Sequence, residues 1–150
     1  MARLDGKIAI VTGGTSGIGA HTAKVFSDEG AIVVFCGRRA DRGEKIAAEL
    51  GDRVEFIQTD VTVEAEVAHL VEETVRRHGR LDVMFNNAGG PAPTGSIIDL
   101  DIPPFRDAMD VLVTNVAQCM KHAAPVMKDH GSGSIINNGS VAGHQAGWSS

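Results

Sequence analysis

Between residues 7 and 26 an apolar run, a glycine turn and a helical stripe follow one another without a gap, and few folds accept that order. Residues 7–12 (KIAIVT) are mostly apolar and β-branched, the pattern of a strand covered on both faces. Residues 12–19 (TGGTSGIG) form a glycine turn. Ile18, Thr22, Val25 and Phe26 then recur at helical spacing, and Gly30 predicts the stop.

The unit repeats along the chain. Residues 31–36 (AIVVFC) predict a second buried strand, and Asp41 with Glu44 three positions on predicts a capped helix ending at Gly51. Residues 54–59 predict a third strand. Val63, Val67, Leu70, Val71 and Val75 make the next helical stripe, stopped at Gly79. Its acids Glu64 and Glu66 come early and Arg76, Arg77 and His78 late, the order that complements a helix dipole. A fourth strand is expected over residues 81–85 and an irregular Gly/Pro loop over 89–104. A long helix from about 105 to 130 and a fifth strand at Ser134–Asn137 complete the series. Strands alternating with helices imply parallel units with right-handed crossovers. The fold class is therefore α/β, a doubly wound parallel sheet, with residues 1–150 as one domain.

Within the long helix Val111, Leu112, Val113, Val116, Ala117, Cys119, Met120, Ala123 and Ala124 spread around most of the circumference. A helix apolar over so wide an arc is expected to be covered on more than one side. Eighteen glycines against 4% aromatic residues suit backbones that approach closely. A net charge of −5 argues against the basic footprint of a nucleic-acid binder. Cys36 and Cys119 stand far apart without metal-ligand spacing, so no metal site is expected and both read as reduced core thiols of a cytoplasmic protein. Neither a signal peptide nor a membrane-spanning run is seen.

The glycine turn can hold phosphate. Gly13, Gly17 and Gly19 lie after a strand and before a helix, where missing Cβ atoms let a pyrophosphate reach backbone N–H groups at the helix start. Thr15, Ser16 and Ile18 share that loop. The spacing GxxxGxG is neither GxGxxG nor a P-loop. After the second strand the chain reads Cys36, Gly37, Arg38, Arg39, with arginines where an acid would bind a ribose hydroxyl. That favours NADP, with NAD as the alternative, unless the pair is only a solvated helix start.

Five separated motifs then fall in one register: TGGTSGIG at 12–19, Asp60-Val61, Asn86-Asn87-Ala88-Gly89, Asn115 in the long helix, and Ser140. Together the chain resembles the short-chain dehydrogenase/reductase family. The resemblance implies a Rossmann-like sheet of order 3-2-1-4-5 and hydride transfer between NADP(H) or NAD(H) and a secondary alcohol or ketone. It implies that Asp60 and Val61 meet the adenine, and that Asn87, Ala88 and Gly89 line the adenosine and nicotinamide ribose side. Asn115 would interrupt the helix and hold a water, and Ser140 would bond the substrate oxygen. Homodimers or homotetramers through the helix near 105–130 are also implied.

Plainer roles stay open. Asp60 could cap the next helix, Asn86 and Asn87 could be turn residues, Ser140 could belong to a serine-rich loop, and His144 is given no role. In the family a Tyr-x-x-x-Lys motif follows the serine, and its count from Ser140 falls just past Ser150. The sequence is thus expected to be truncated before that motif, leaving the fifth strand as an exposed edge. A catalytically inactive nucleotide-binding or subunit-interaction module is the alternative function, and a methyltransferase ranks last.

Overall fold

The computed structural model describes residues 2–140. Five strands form one parallel sheet: β1 (Ile8–Val11), β2 (Ile32–Gly37), β3 (Val54–Gln58), β4 (Val83–Asn86) and β5 (Ser134–Asn137). The order is β3-β2-β1-β4-β5, with Ile8 opposite Ile32 and Val83 opposite Ser134. Helices α1 (Gly17–Asp28), α2 (Ala40–Leu50) and α3 (Glu64–His78) connect the first four strands, and α4 (Ile102–Met109) and α5 (Asn115–His130) lead to β5. The doubly wound sheet expected from the alternation is the one observed.

Successive strand residues point to opposite faces, which divides the core in two. Ile10, Val34, Cys36 and Met84 pack with Leu70 and Val71 of α3 and Cys119 and Ala123 of α5. Val11, Val33, Phe35 and Val54 pack on the other face with Ala23 of α1. On this second face Gly43 of α2 lies against the Phe56 ring, where a Cβ would not fit. Cys36 and Cys119 are free and buried, and burial pushes both thiols up to about 12, so they are packing groups rather than nucleophiles.

Three local expectations need correction. Helix α2 begins at Ala40 with Arg39 at its N-cap, so Asp41 lies inside the first turn and makes no cap. Its charge there faces the positive helix end instead. The long helix starts earlier than expected, at Ile102, with Pro103 and Pro104 in its first turn, where no N–H is needed. It is also not one regular helix: a π turn, Asp110–Thr114, separates α4 from α5.

Cys119, Ala123 and Met127 bury one stripe of α5 against the sheet. Phe105, Met109, Leu112, Val113 and Met120 remain between 37% and 51% exposed. The wide apolar arc, packed on the sheet and on α3, is therefore left partly uncovered among the described residues. β5 lies at the end of the strand order, and Ile136 there is exposed. No helix among the described residues is long and apolar enough to cross a membrane.

Asp82, buried just before β4, ties the sheet's lower end together. It accepts from Ile8 N at 3.0 Å and Arg80 Nε at 2.8 Å, and Lys7 Nζ lies 3.5 Å away. Burial pushes this carboxyl up, but Arg80, the Ile8 N–H and Lys7 together outweigh it and leave the group below the ordinary carboxylate range. A lowered folded-state value means the stabilisation is fully present above the unfolded value, near ~3.9, and is lost as pH falls through the folded one. Asp82→Asn is expected to cost about 2 kcal/mol at neutral pH, since charge-assisted bonds are lost. Urea unfolding should show the gap from wild type closing as the solution is acidified below about pH 4.

Candidate functional site

In this strand order the chain leaves β1 toward β2 on one side and enters β4 on the other. A crevice opens above the carboxyl ends of the strands at that reversal. The loops there enclose one cavity of about 510 Å3. Its walls include Gly13, Thr15, Ser16 and Ile18 from the first loop, Gly37, Arg38 and Arg39 from the second, and Asp60 and Val61 from the third. Asn87, Ala88 and Gly89 come from the fourth. The sequence candidates for cofactor binding are thus brought together, apart from Gly17 and Gly19, which lie off the cavity wall.

Close approach makes the first loop. Gly13 has φ +68°, and a Cβ there would sit 2.8 Å from the Ala88 Cα. Gly14 N donates to Cys36 O at 2.9 Å, and a Cβ on Gly14 would stand 2.5 Å from the Phe35 side chain. A Cβ on Gly37 would be 2.7 Å from Thr15 Cγ2. Beneath this loop Thr12 is fully buried, and its Oγ1 accepts from both Asn87 N and Ala88 N at 3.0 Å. Asn87 Nδ2 returns a bond to Thr12 O at 3.1 Å.

Ser16 is the N-cap of α1, yet its side chain makes no bond to the helix, and no acidic residue occupies the first turn. The first N–H groups of α1 are therefore left for an outside acceptor, and the helix end carries positive potential. An anion such as a pyrophosphate fits that arrangement.

The ribose side holds both arginines in different circumstances. Arg39 Nη2 donates to Thr15 Oγ1 and Ser16 Oγ at 3.0 Å and approaches Thr15 O at 3.4 Å. Arg38 is exposed, and its guanidinium makes no hydrogen bond among the described residues; only its carbonyl is engaged, by Gln58 Nε2. Asp60 Oδ1 accepts from Thr62 N at 3.0 Å and Thr62 Oγ1 at 2.7 Å. The Thr62 N–H above all, then its hydroxyl and the Arg38 charge, hold the Asp60 carboxyl below its usual range against partial burial. Asp60 is not the helix cap, because α3 begins at Glu64 with Val63 before it. It closes a turn with Oδ1, and its Oδ2 makes no hydrogen bond among the described residues.

Asn86 and Asn87 are likewise more than turn residues. Asn86 ends β4 and donates from Nδ2 to Asn137 Oδ1 at 2.8 Å, and Asn87 Oδ1 accepts from Asn138 Nδ2 at 3.0 Å. The two amides fasten β4 to β5 and to the first loop.

Asn115 is fully buried directly after the π turn, so the helix is interrupted before it rather than at it. Its Nδ2 donates to the Val111 carbonyl, and its Oδ1 is buried with no partner among the described residues. Val111 lines the cavity; Asn115 and Ser140 do not. Ser140 is exposed just past β5, and His144 lies outside the described residues. Thr59, Thr62, Val111 and Asn138 also form the wall, though none is among the sequence candidates for cofactor binding. Only Thr62 carried a signal, an Asp-x-Thr pattern that closes on itself as an Asx turn. Among the described residues no cluster of His, Cys, Asp and Glu could hold a metal ion.

Residues 7–150 match a family model described as short chain dehydrogenase. The chain is 46% identical over 147 residues to Short-chain dehydrogenase reductase 5 of Arabidopsis thaliana, covering 97% of this chain and 57% of that protein. It is 43% identical over 148 residues to (+)-borneol dehydrogenase 1 of Salvia officinalis, covering 98% and 57%. It is also 43% identical over 150 residues to secoisolariciresinol dehydrogenase of Forsythia intermedia, covering 99% and 54%. The chain spans little more than half the length of these curated relatives.

Proposed function

We propose that this chain, which belongs to the short-chain dehydrogenase family, is the dinucleotide-binding part of an oxidoreductase that prefers NADP and acts on a secondary alcohol or ketone. The observation that carries the reading is the cavity itself: an uncapped helix start at Ser16 and an uncommitted Arg38 guanidinium open onto one crevice. The first suits a pyrophosphate and the second a phosphate on the adenosine ribose. Relatives named as dehydrogenases support a redox role.

The chain's own residues divide the work. Gly13 to Ile18 cradle the pyrophosphate, Arg38 takes the 2′-phosphate, and Val61 packs beside the adenine. The open Oδ2 of Asp60 accepts from the adenine amino group. Asn87, Ala88 and Gly89 line the ribose side. Asn115, with its orphaned buried Oδ1, holds a water, and Ser140 bonds the substrate oxygen. The bound nicotinamide supplies the hydride acceptor or donor. The 150 residues contain no tyrosine, so no role of the family's Tyr-x-x-x-Lys motif is assigned to any of them. The exposed apolar face from Phe105 to Met120 supports a homodimer or homotetramer, and a cytoplasmic location fits the two free thiols.

Calorimetric titration tests the cofactor. NADP+ is expected to bind about tenfold to a hundredfold more tightly than NAD+, as a charge-assisted phosphate contact would give. Arg38→Gln should remove most of that difference. Tighter binding of NAD+ by the wild type would overturn the preference, and binding of neither would overturn the nucleotide site.

A further inference from the structure

We propose that Arg39 is a positioning residue of this site, which keeps the Ser16 hydroxyl away from the start of α1 so that phosphate can use the helix N–H groups. The inference rests on the cavity being a dinucleotide site, as read above.

Ser is among the best N-cap residues, and its hydroxyl ordinarily accepts from the second or third N–H of its own helix. Ser16 sits at the N-cap and makes no such bond. Its Oγ instead accepts from Arg39 Nη2 at 3.0 Å, a residue brought alongside by the end of β2. The same nitrogen donates to Thr15 Oγ1 at 3.0 Å, and Thr15 is nearly buried. A charged donor outcompetes a neutral N–H for a hydroxyl oxygen. The helix start is left open because its natural cap is held elsewhere.

That commitment also removes Arg39 from bidentate phosphate binding. A guanidinium offers two forks, one from Nε and Nη2 and one from Nη1 and Nη2. Nη2 belongs to both, and its two hydrogens already face the oxygens of Thr15 and Ser16. The adjacent arginines therefore act differently: Arg38 discriminates between cofactors, whereas Arg39 serves whatever phosphate reaches the loop.

The test measures dissociation constants of NADP+ and NAD+ by calorimetry on the whole protein. Arg39→Met is expected to weaken both by the same factor, about tenfold, leaving their ratio unchanged. Ser16→Ala added to Arg39→Met should recover most of that loss, because the competing cap is gone. A general packing defect would not be repaired in this way. Should the Met variant not fold, Arg39→Lys must still show equal losses for the two dinucleotides. A loss confined to NADP+ would make Arg39 a phosphate ligand and overturn the proposal, as would an Arg39→Met loss that Ser16→Ala does not relieve. A wild type that binds neither dinucleotide fails the nucleotide reading itself.

Discussion

Thr12→Val will lower stability by about 2–5 kcal/mol, although the two side chains have nearly the same shape. The hydroxyl is fully buried and accepts from two backbone N–H groups, Asn87 N and Ala88 N, each at 3.0 Å. Valine keeps the packing and leaves both donors inside the protein without an acceptor. Each such orphan costs about 1–3 kcal/mol, far more than the extra methyl contact returns. For a domain of this size that is a fall of roughly 5–20 °C in melting temperature. Thr12→Ser, which keeps the oxygen, should retain most of the stability. Guanidinium unfolding of the three proteins decides it; equal midpoints for valine and threonine would remove Thr12 as the fastener between β1 and β4. Dinucleotide affinity should fall with stability, because Ala88 lies against Gly13 at the cavity wall.

That fastener marks the limit of what the sequence discloses. β1 and β2 are legible because each is an apolar run buried in a parallel sheet, and β5, though largely exposed, falls at the very residues expected. Gly79, in the left-handed conformation after α3, shows why glycine stops could be placed to the residue. The π turn before Asn115 could not be placed so. One widened turn shifts the hydrophobic phase too little to break a stripe that is apolar nearly all round. Pro103 and Pro104 read as loop because proline in isolation signals a break, whereas the first helical turn accepts it.

The site divides in the same way. Loop glycines and the Asp60-Val61 pair are visible because their chemistry is local. Val111 and Asn138 join the wall only through tertiary packing, from a helix and a strand end far along the chain. Two adjacent arginines look alike in sequence, and only the fold separates Arg39, turned onto Thr15 and Ser16, from the uncommitted Arg38.

Gly19→Ala sets two effects of opposite sign against each other. Gly19 lies in the first turn of α1, where alanine is the better helix former by about 1 kcal/mol. Propensity alone therefore predicts a stabilised protein. An added Cβ, however, would overlap the Gly13 carbonyl oxygen and come within 2.7 Å of Asn87 Nδ2. Neither neighbour is a flexible chain end: one is loop backbone, and the other is held to Thr12 O at 3.1 Å. Relief requires α1 to move off the loop, and overpacking of that kind costs about 1–3 kcal/mol or more, so sterics win. The displacement acts at the helix start proposed to hold the pyrophosphate, so affinity should suffer more than stability. Dinucleotide binding is expected to weaken by about tenfold to a hundredfold, with a melting temperature lowered by only a few degrees. Gly17→Ala is the contrast, since a Cβ there meets nothing within 4 Å and only its φ of +54° opposes the change. Titration and thermal unfolding of both variants separate the causes: a Gly19→Ala protein that binds as wild type and melts higher would mean that helix propensity governs this junction, not the contact between α1 and the glycine loop.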